Sequence, residues 1–452
     1  METPAGKRFL CMTGTLHRSL QIPSLGPAAH PSPGLFRDWG AAAKSWISDA
    51  DRILLDDSIA ANDCATSQLE RLSVERAGPR RALFFKPENV TCAVITCGGM
   101  CPGINDVIRS IVMHAHYGYG VRRILGLRYG YEGLNPAFKH VPEELTPDRV
   151  AKIQYLGGSI LGTSRGIQKA TTMVDYLIEL GVHVLFVVGG DGSQRGARDL
   201  FEEATRRGLA LSVVGIPKTI DNDLLYMDRS FGYLTAFSEA VHSLIVAHAE
   251  AHGARNGIGL VKLMGRDSGF IACAAALATA EANFVLIPEA PFRLEGRTGL
   301  FASLEERLAS RRHALIVVAE GAGQDLLSNR PLETDASGNR RYGDIGIFLR
   351  DRITEHFLGN GISCSVKYID PSYQLRGVIA TPEDRIFCLQ LGRHAVHAAM
   401  AGKTGMVVAL WHQRYVHLPV HLVAEGRRKV DVEGDLWRCV LESTGQPAQM
   451  GF

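Results

Sequence analysis

Three turns in this chain, each following an apolar, β-branched run, hold the residue types that handle phosphate. The first is in "HVLFVVGGDGSQRGA" (183–197). Gly189, Gly190 and Gly192 would let the backbone approach a ligand and adopt positive φ, while the unpaired N–H groups of the following helix face an anion. Asp191 complicates a simple anion site, because a carboxylate beside phosphates repels them unless a divalent cation stands between; the residue therefore predicts Mg2+. A second turn, "TCGGMCPGIND", brings Gly98, Gly99 and Gly103 to a helix beginning near Asn105. Neither turn matches G-x-x-x-x-G-K-[ST] or G-x-G-x-x-G, so it is the pair together with the aspartate that points to phosphate. The third, "GIPKTIDNDL" (215–224), places Asp221 and Asp223 around Asn222, next to Lys218 and Thr219. A hydroxyl attacking a phosphoryl group must give up its proton, and a carboxylate held near a cation suits that task. An Asx-type turn capping the next helix is the plainer reading, and both roles can coexist.

Such turns need a scaffold that presents them together. The strand candidates are "CAVITC", "RRILGL", "HVLFVVG", "LSVVGI", "IGLVKL", "NFVLIP", "ALIVVAE" and "ISCSVKY". Several are apolar on both faces, as strands of a parallel sheet covered by helices are, and ligands of such sheets bind beyond the carboxyl ends of the strands. The clearest helix pattern lies in 231–252, where Leu234, Phe237, Val241, Leu244, Ile245 and His248 recur at three- and four-residue steps. Its histidines, His242, His248 and His252, read as helix-face residues, since no H-E-x-x-H pattern accompanies them. The expected fold is α/β: two Rossmann-like lobes with mainly parallel sheets, the active site in the cleft between them, plus an N-terminal extension. The expected boundaries are 1–85 for the extension, 86–232 for a nucleotide-binding lobe completed by part of 375–425, 233–374 for a sugar-phosphate lobe, and 375–452 for a segment returning to both. Within the extension, 41–71 is charged and helix-compatible, and the turn-rich 321–343 reads as a surface insertion.

Composition narrows the field. In 452 residues the net charge is +2, with no basic block, which argues against a nucleic-acid binder. Nine cysteines without regular spacing exclude a disulfide framework, and Cys97 with Cys101 reads as a strand end and a loop thiol rather than half a metal site. The longest apolar run, "FIACAAALATA", stops at Glu281, too short to cross a bilayer. The first 37 residues carry Lys7, Arg8, Arg18 and Arg37 against a single acid, Glu2. Cytoplasm is expected, with an organelle as the alternative.

Seven motifs in order, "GGDGS", "PKTIDND", "MGRDSGFIA", "PEAPF", "VAEGAGQ", "KYIDPSYQLRG" and "STGQP", make residues 80 to 450 resemble the 6-phosphofructokinase family, in its ATP-dependent plant and trypanosomatid form. The resemblance implies a glycolytic phosphotransferase that uses ATP with Mg2+ and forms a homotetramer under allosteric control. It implies that Gly99, Arg165, Gly166, Gly190, Asp191, Gly192 and Ser193 bind the nucleotide, with Asp191 on the metal. Thr219, Ile220 and Asp221 would take fructose 6-phosphate, Asp221 accepting the proton of its 1-hydroxyl with Arg165 and Thr219 assisting. Met264, Gly265, Arg266, Glu320, Lys367, Tyr373, Gln374, Leu375 and Arg376 would complete the sugar-phosphate site. Gly192 goes with ATP, since an acid there would fill the space of the α-phosphate and repel its charge; Lys218 accompanies both ATP and pyrophosphate enzymes. The alternatives are a pyrophosphate-dependent enzyme, a silent regulatory subunit of the same fold, or a kinase of another substrate that shares the "GGDG" turn.

Overall fold

A computed structural model of the chain describes residues 20–33, 46–57, 72–166, 168–327 and 342–451. The chain divides into two units. The first comprises Met1–Lys218, Leu224–Phe231 and Arg385–Gly426, and the second Thr219–Asp223, Gly232–Asp384 and Arg427–Phe452.

The first unit is built on a nine-stranded sheet. In chain order its strands are β1 (Arg52–Leu54), β2 (Ser73–Arg76), β3 (Thr91–Thr96), β4 (Arg123–Leu127), β5 (Glu143–Glu144), β6 (Val184–Gly189), β7 (Ser212–Pro217), β12 (Met406–Trp411) and β13 (Arg414–Pro419). Their order across the sheet is β1-β2-β13-β12-β7-β6-β3-β4-β5. The five strands from β12 to β4 run parallel, while the pairs at both flanks are antiparallel, so the sheet is mixed rather than mainly parallel. The centre follows from sequence: β3, β6 and β7 are buried along their whole length, and no residue among them is charged. Ala93, Ile95, Leu185, Val187, Val407 and Ala409 alternate onto one face of a common core, each fully buried Ile, Leu or Val side chain contributing about 1.5–3 kcal/mol. Two strands, β1 and β2, come from the stretch that reads as an extension, and the described part of the helix-compatible 41–71 contains β1 instead of a helix.

The second unit holds a fully parallel four-stranded sheet, ordered β9-β10-β8-β11, from β8 (Gly257–Leu263), β9 (Phe284–Leu286), β10 (His313–Ala319) and β11 (Ser365–Ile369). All four arise from runs that read as strands. The periodic helix appears at Tyr233–His252, and "FIACAAALATA" forms the helix Phe270–Thr279, buried over most of its length. Leu260, Ile316, Val318, Leu304, Leu349 and Phe357 form its core. Most of the 321–343 insertion lies outside the described residues. No helix among the described residues is long and apolar enough to cross a membrane.

Candidate active site

Two groups of side chains answer the expectations, one in each unit. In the first unit, β3, β6 and β7 are neighbours in the sheet and parallel, so the turns at their carboxyl ends come together. Lys218, just after β7, donates from Nζ to the Gly99 carbonyl at 2.6 Å and from its backbone N–H to Gly189 at 3.0 Å. Gly98 donates to the carbonyl of Ser164 at 3.0 Å, which seats the Arg165–Gly166 loop beside the same turns. Arg165 itself is exposed. The glycine and arginine loops of the expected nucleotide site thus lie together with Lys218.

The turn at 189–193 is shaped differently from the expectation. None of Gly189, Gly190 and Gly192 adopts positive φ. Gly189 is required for a steric reason, because a Cβ there would lie 2.2 Å from that of Ser193. At Gly192 a Cβ would meet only Arg195 Nη2, at 3.6 Å, so the protein has space for a side chain and carries none. Helix α1 (Ile104–Met113) follows the Gly98–Gly103 turn, and helix α2 (Asp191–Arg206) starts at the aspartate. Asp191 is buried at the first position of α2, and Arg195, one turn on, grips both carboxylate oxygens at 2.7 and 2.6 Å. That partner was open to sequence reading as an i,i+4 acid–base pair. Tyr131, which donates to the Ser193 carbonyl from sixty-two residues away, was not.

Among the described residues no three or more His, Cys, Asp or Glu side chains close into a metal cage. A lone buried carboxylate fits a hard cation carried in by phosphates, which needs only one or two protein oxygens, with Arg195 as the countercharge the cation would replace. Cys97 and Cys101 are both buried; the Cys97 thiol is pushed up to about 12 by burial, and Cys101 donates to the Phe231 carbonyl at 3.2 Å.

In the second unit, Asp221 faces acids. Burial pushes its carboxyl up to about 7, and Asp223 and Glu320 push the same way, against the backbone N–H of Arg266 and the charge of Arg427. Its Oδ1 is buried without a hydrogen-bond partner. The surrounding backbone is fixed: Asn222 takes left-handed φ of 54°, Thr219 Oγ1 accepts from the Asp221 N–H at 3.1 Å, and Ser268 Oγ donates to the Asp221 carbonyl at 2.8 Å. Thr219 also donates to Asp223 at 3.0 Å. Ile220 is buried behind this turn.

Glu320 follows β10, and Met264, Gly265 and Arg266 follow the neighbouring β8. The Gly321 N–H donates to the Gly265 carbonyl at 3.1 Å, and a Cβ on Gly321 would come within 1.8 Å of the Arg266 carbonyl, so the two loops are in backbone contact. Burial raises the Glu320 carboxyl, while Arg266, Lys262 and Arg376 pull it down and Asp370 pushes it up. Arg376 lies with its guanidinium 4.8 Å from the ring centre of the exposed Tyr373, on the short helix Gln374–Gly377 that also holds the buried Leu375. Lys367 sits mid-strand in β11, in register with Gly259; the lysine whose charge reaches Glu320 is Lys262, which bonds Asp344 and Asp370 at 2.8 Å each. Lys262, and Arg427, which ion-pairs with Asp267 and lies 3.8 Å from Asp223, stand beside the expected residues and escape sequence reading, since their partners are remote in the chain.

The phosphofructokinase family matches residues 91–399. The chain is 44% identical over 436 residues to an ATP-dependent 6-phosphofructokinase of Borreliella burgdorferi, covering 95% of this chain and 97% of that one. It is 46% identical to the ATP-dependent 6-phosphofructokinase of Trypanosoma brucei brucei, over 82% of this chain and 76% of that one. Its fold resembles the crystal structure of a pyrophosphate-dependent phosphofructokinase from Marinobacter aquaeolei, with a TM-score of 0.64 at 20% identity over 78% of this chain and 91% of that one.

Proposed function

The chain belongs to the phosphofructokinase family, and from that premise we propose that it is an ATP-dependent 6-phosphofructokinase. It transfers the γ-phosphoryl group of ATP to the 1-hydroxyl of fructose 6-phosphate, giving fructose 1,6-bisphosphate and ADP. The observation that carries this reading is Asp221, a carboxyl raised to about 7 with an unpartnered buried oxygen. A proton acceptor works best when its pKa lies near the operating pH, and here burial, with the neighbouring acids after it, supplies the shift.

Asp221 takes the proton of the 1-hydroxyl as the oxygen attacks the γ-phosphorus, and the bond to the bridging oxygen of ADP breaks. Thr219 and Asn222 hold the Asp221 backbone in place. Arg165 and the N–H groups of the glycine turns offset charge on the transferring group. Asp191 would hold a Mg2+ ion that neutralises the nucleotide phosphates. Arg266 and Arg376 form the positive set for the sugar phosphate, with Glu320 placed to accept from a sugar hydroxyl.

ATP is favoured over pyrophosphate by Gly192. Nothing in the protein prevents a side chain at that position, so the bare backbone there serves the ligand. The intact Asp191, Arg165 and Asp221 argue against a silent subunit. Purified protein with Mg2+ and fructose 6-phosphate should turn over with ATP and show at most a trace of activity with pyrophosphate; equal use of pyrophosphate would overturn the donor assignment.

A further inference from the structure

Strand β8 is apolar except for Lys262, whose side chain is only 12% exposed. A cation in such a place needs countercharge, and two carboxylates supply it: Nζ lies 2.8 Å from Asp344 Oδ2 and 2.8 Å from Asp370 Oδ2. The pairing with Asp370 follows from the sheet, because Val261 of β8 is in register with Ile369 of β11, and the next residue of each strand is the lysine and the aspartate. An ammonium group committed to two acids does not serve as a ligand for phosphate. What it holds is set by the other oxygen of each carboxylate.

Asp370 Oδ1 accepts from the Ser372 N–H at 3.1 Å and from the Ser372 hydroxyl, an Asx turn. That turn leads straight into Gln374–Gly377, whose first N–H donates to the Pro371 carbonyl at 2.7 Å and which carries Arg376. Asp344 Oδ1 caps the helix Ile345–Gly359, accepting from the Ile347 N–H at 3.1 Å, and accepts from the hydroxyl of Tyr368 on β11 at 3.2 Å. Tyr368 in turn packs on Gly346, where a Cβ would come within 2.4 Å of its ring. One ammonium group thus ties β8, which runs on to Met264–Arg266, to the turn that carries Arg376 and to the start of a helix packed on the same strands. Its charge also reaches Glu320, where Lys262 and Asp370 act in opposite directions.

We propose that Lys262 is a positioning residue for the sugar phosphate: through Asp370 it fixes the turn that holds Arg376, and by offsetting Asp344 and Asp370 it keeps that place favourable to a dianion. Without the ammonium group two carboxylates would face each other unmatched, repelling one another and any phosphate nearby. Both effects weaken the hold on fructose 6-phosphate and leave the nucleotide residues of the first unit untouched. The proposal rests on the reading of the chain as a 6-phosphofructokinase.

The test uses the full chain and measures kcat and KM for both substrates, with calorimetric titration of fructose 6-phosphate and a melting curve alongside. Lys262→Met, which keeps the apolar stem and drops the charge, should raise KM for fructose 6-phosphate about tenfold or more, with the calorimetric Kd rising in step and KM for ATP within about twofold of its wild-type value. Lys262→Gln, which still donates to a carboxylate and serves where Lys262→Met does not fold, should show the same pattern at about threefold or more. In an Arg376→Met background either change should add less than about twofold, because the arginine it positions is gone. An unchanged KM for fructose 6-phosphate, an equal rise in both KM values, or the same effect with and without Arg376 would overturn the proposal. A wild-type chain that binds no fructose 6-phosphate would overturn the activity reading instead, and this proposal with it.

Discussion

Asp191 and Asp221 are both acidic residues on turns after parallel strands, yet their surroundings oppose each other. Asp191 in the first unit is held at both oxygens by Arg195. Asp221 in the second unit has acids for neighbours and a buried oxygen without a partner. A carboxylate already matched to a cation suits a role as a fixed negative ligand. A carboxyl that is buried and then crowded by like charge gains affinity for a proton and suits a role as acceptor. On the proposed mechanism the same residue type serves electrostatics in one unit and proton transfer in the other, with burial and the neighbours making the difference.

That contrast breaks most directly by removing each carboxylate. Asp221→Asn should lower kcat by about two to four orders of magnitude with little change in KM for either substrate, as loss of a proton acceptor does. Asp191→Ala should lower kcat by roughly two to three orders and also raise the Mg2+ concentration needed for half-maximal rate. Steady-state kinetics across a Mg2+ series separates the two: equal Mg2+ dependence in both variants would erase the distinction drawn between them. A smaller effect is expected from Gly192→Asp. The open position should leave melting temperature unchanged while KM for ATP rises about tenfold or more, a loss of roughly 1.4 kcal/mol of binding; destabilisation without a KM effect would make Gly192 a folding residue. The smallest change sharpens the comparison without removing either group. Glu320→Gln deletes one of the like charges that raise Asp221, so the acid limb of the pH–rate profile should move to lower pH, with an unmoved limb counting against the charge account.

The sequence exposes some of this far better than the rest, for physical reasons. The buried parallel strands are readable because they are covered on both faces and so are apolar throughout, as in "VLFVVG". The hairpin of β12 and β13 escapes because its turn uses His412 and Gln413, at φ of 47° and 58°, in place of the Asn-Gly or Asp-Gly that signals such a turn. Asp191 and Asp221 can be found from their turns, but most of the shift at Asp221 cannot, since beside the adjacent Asp223 it comes from burial and from Glu320, ninety-nine residues later. Lys262 reaches Asp370 through strand adjacency and Asp344 at the start of the helix Ile345–Gly359, which no local pattern encodes. His248 and His252 read as surface residues of a helix until the parallel sheet brings the first residue of β10 beside them.

The central claim, that Asp221 is the proton acceptor because its surroundings hold its carboxyl near neutrality, is tested by the pH dependence of kcat/KM for fructose 6-phosphate. A base must be deprotonated to act, so the rate should fall about tenfold per unit as pH drops below an apparent pKa near 7, and this limb should be missing from the residual activity of Asp221→Asn. A limb that persists unchanged in Asp221→Asn, or a wild-type rate that stays flat down to the ordinary carboxylate range, would contradict it.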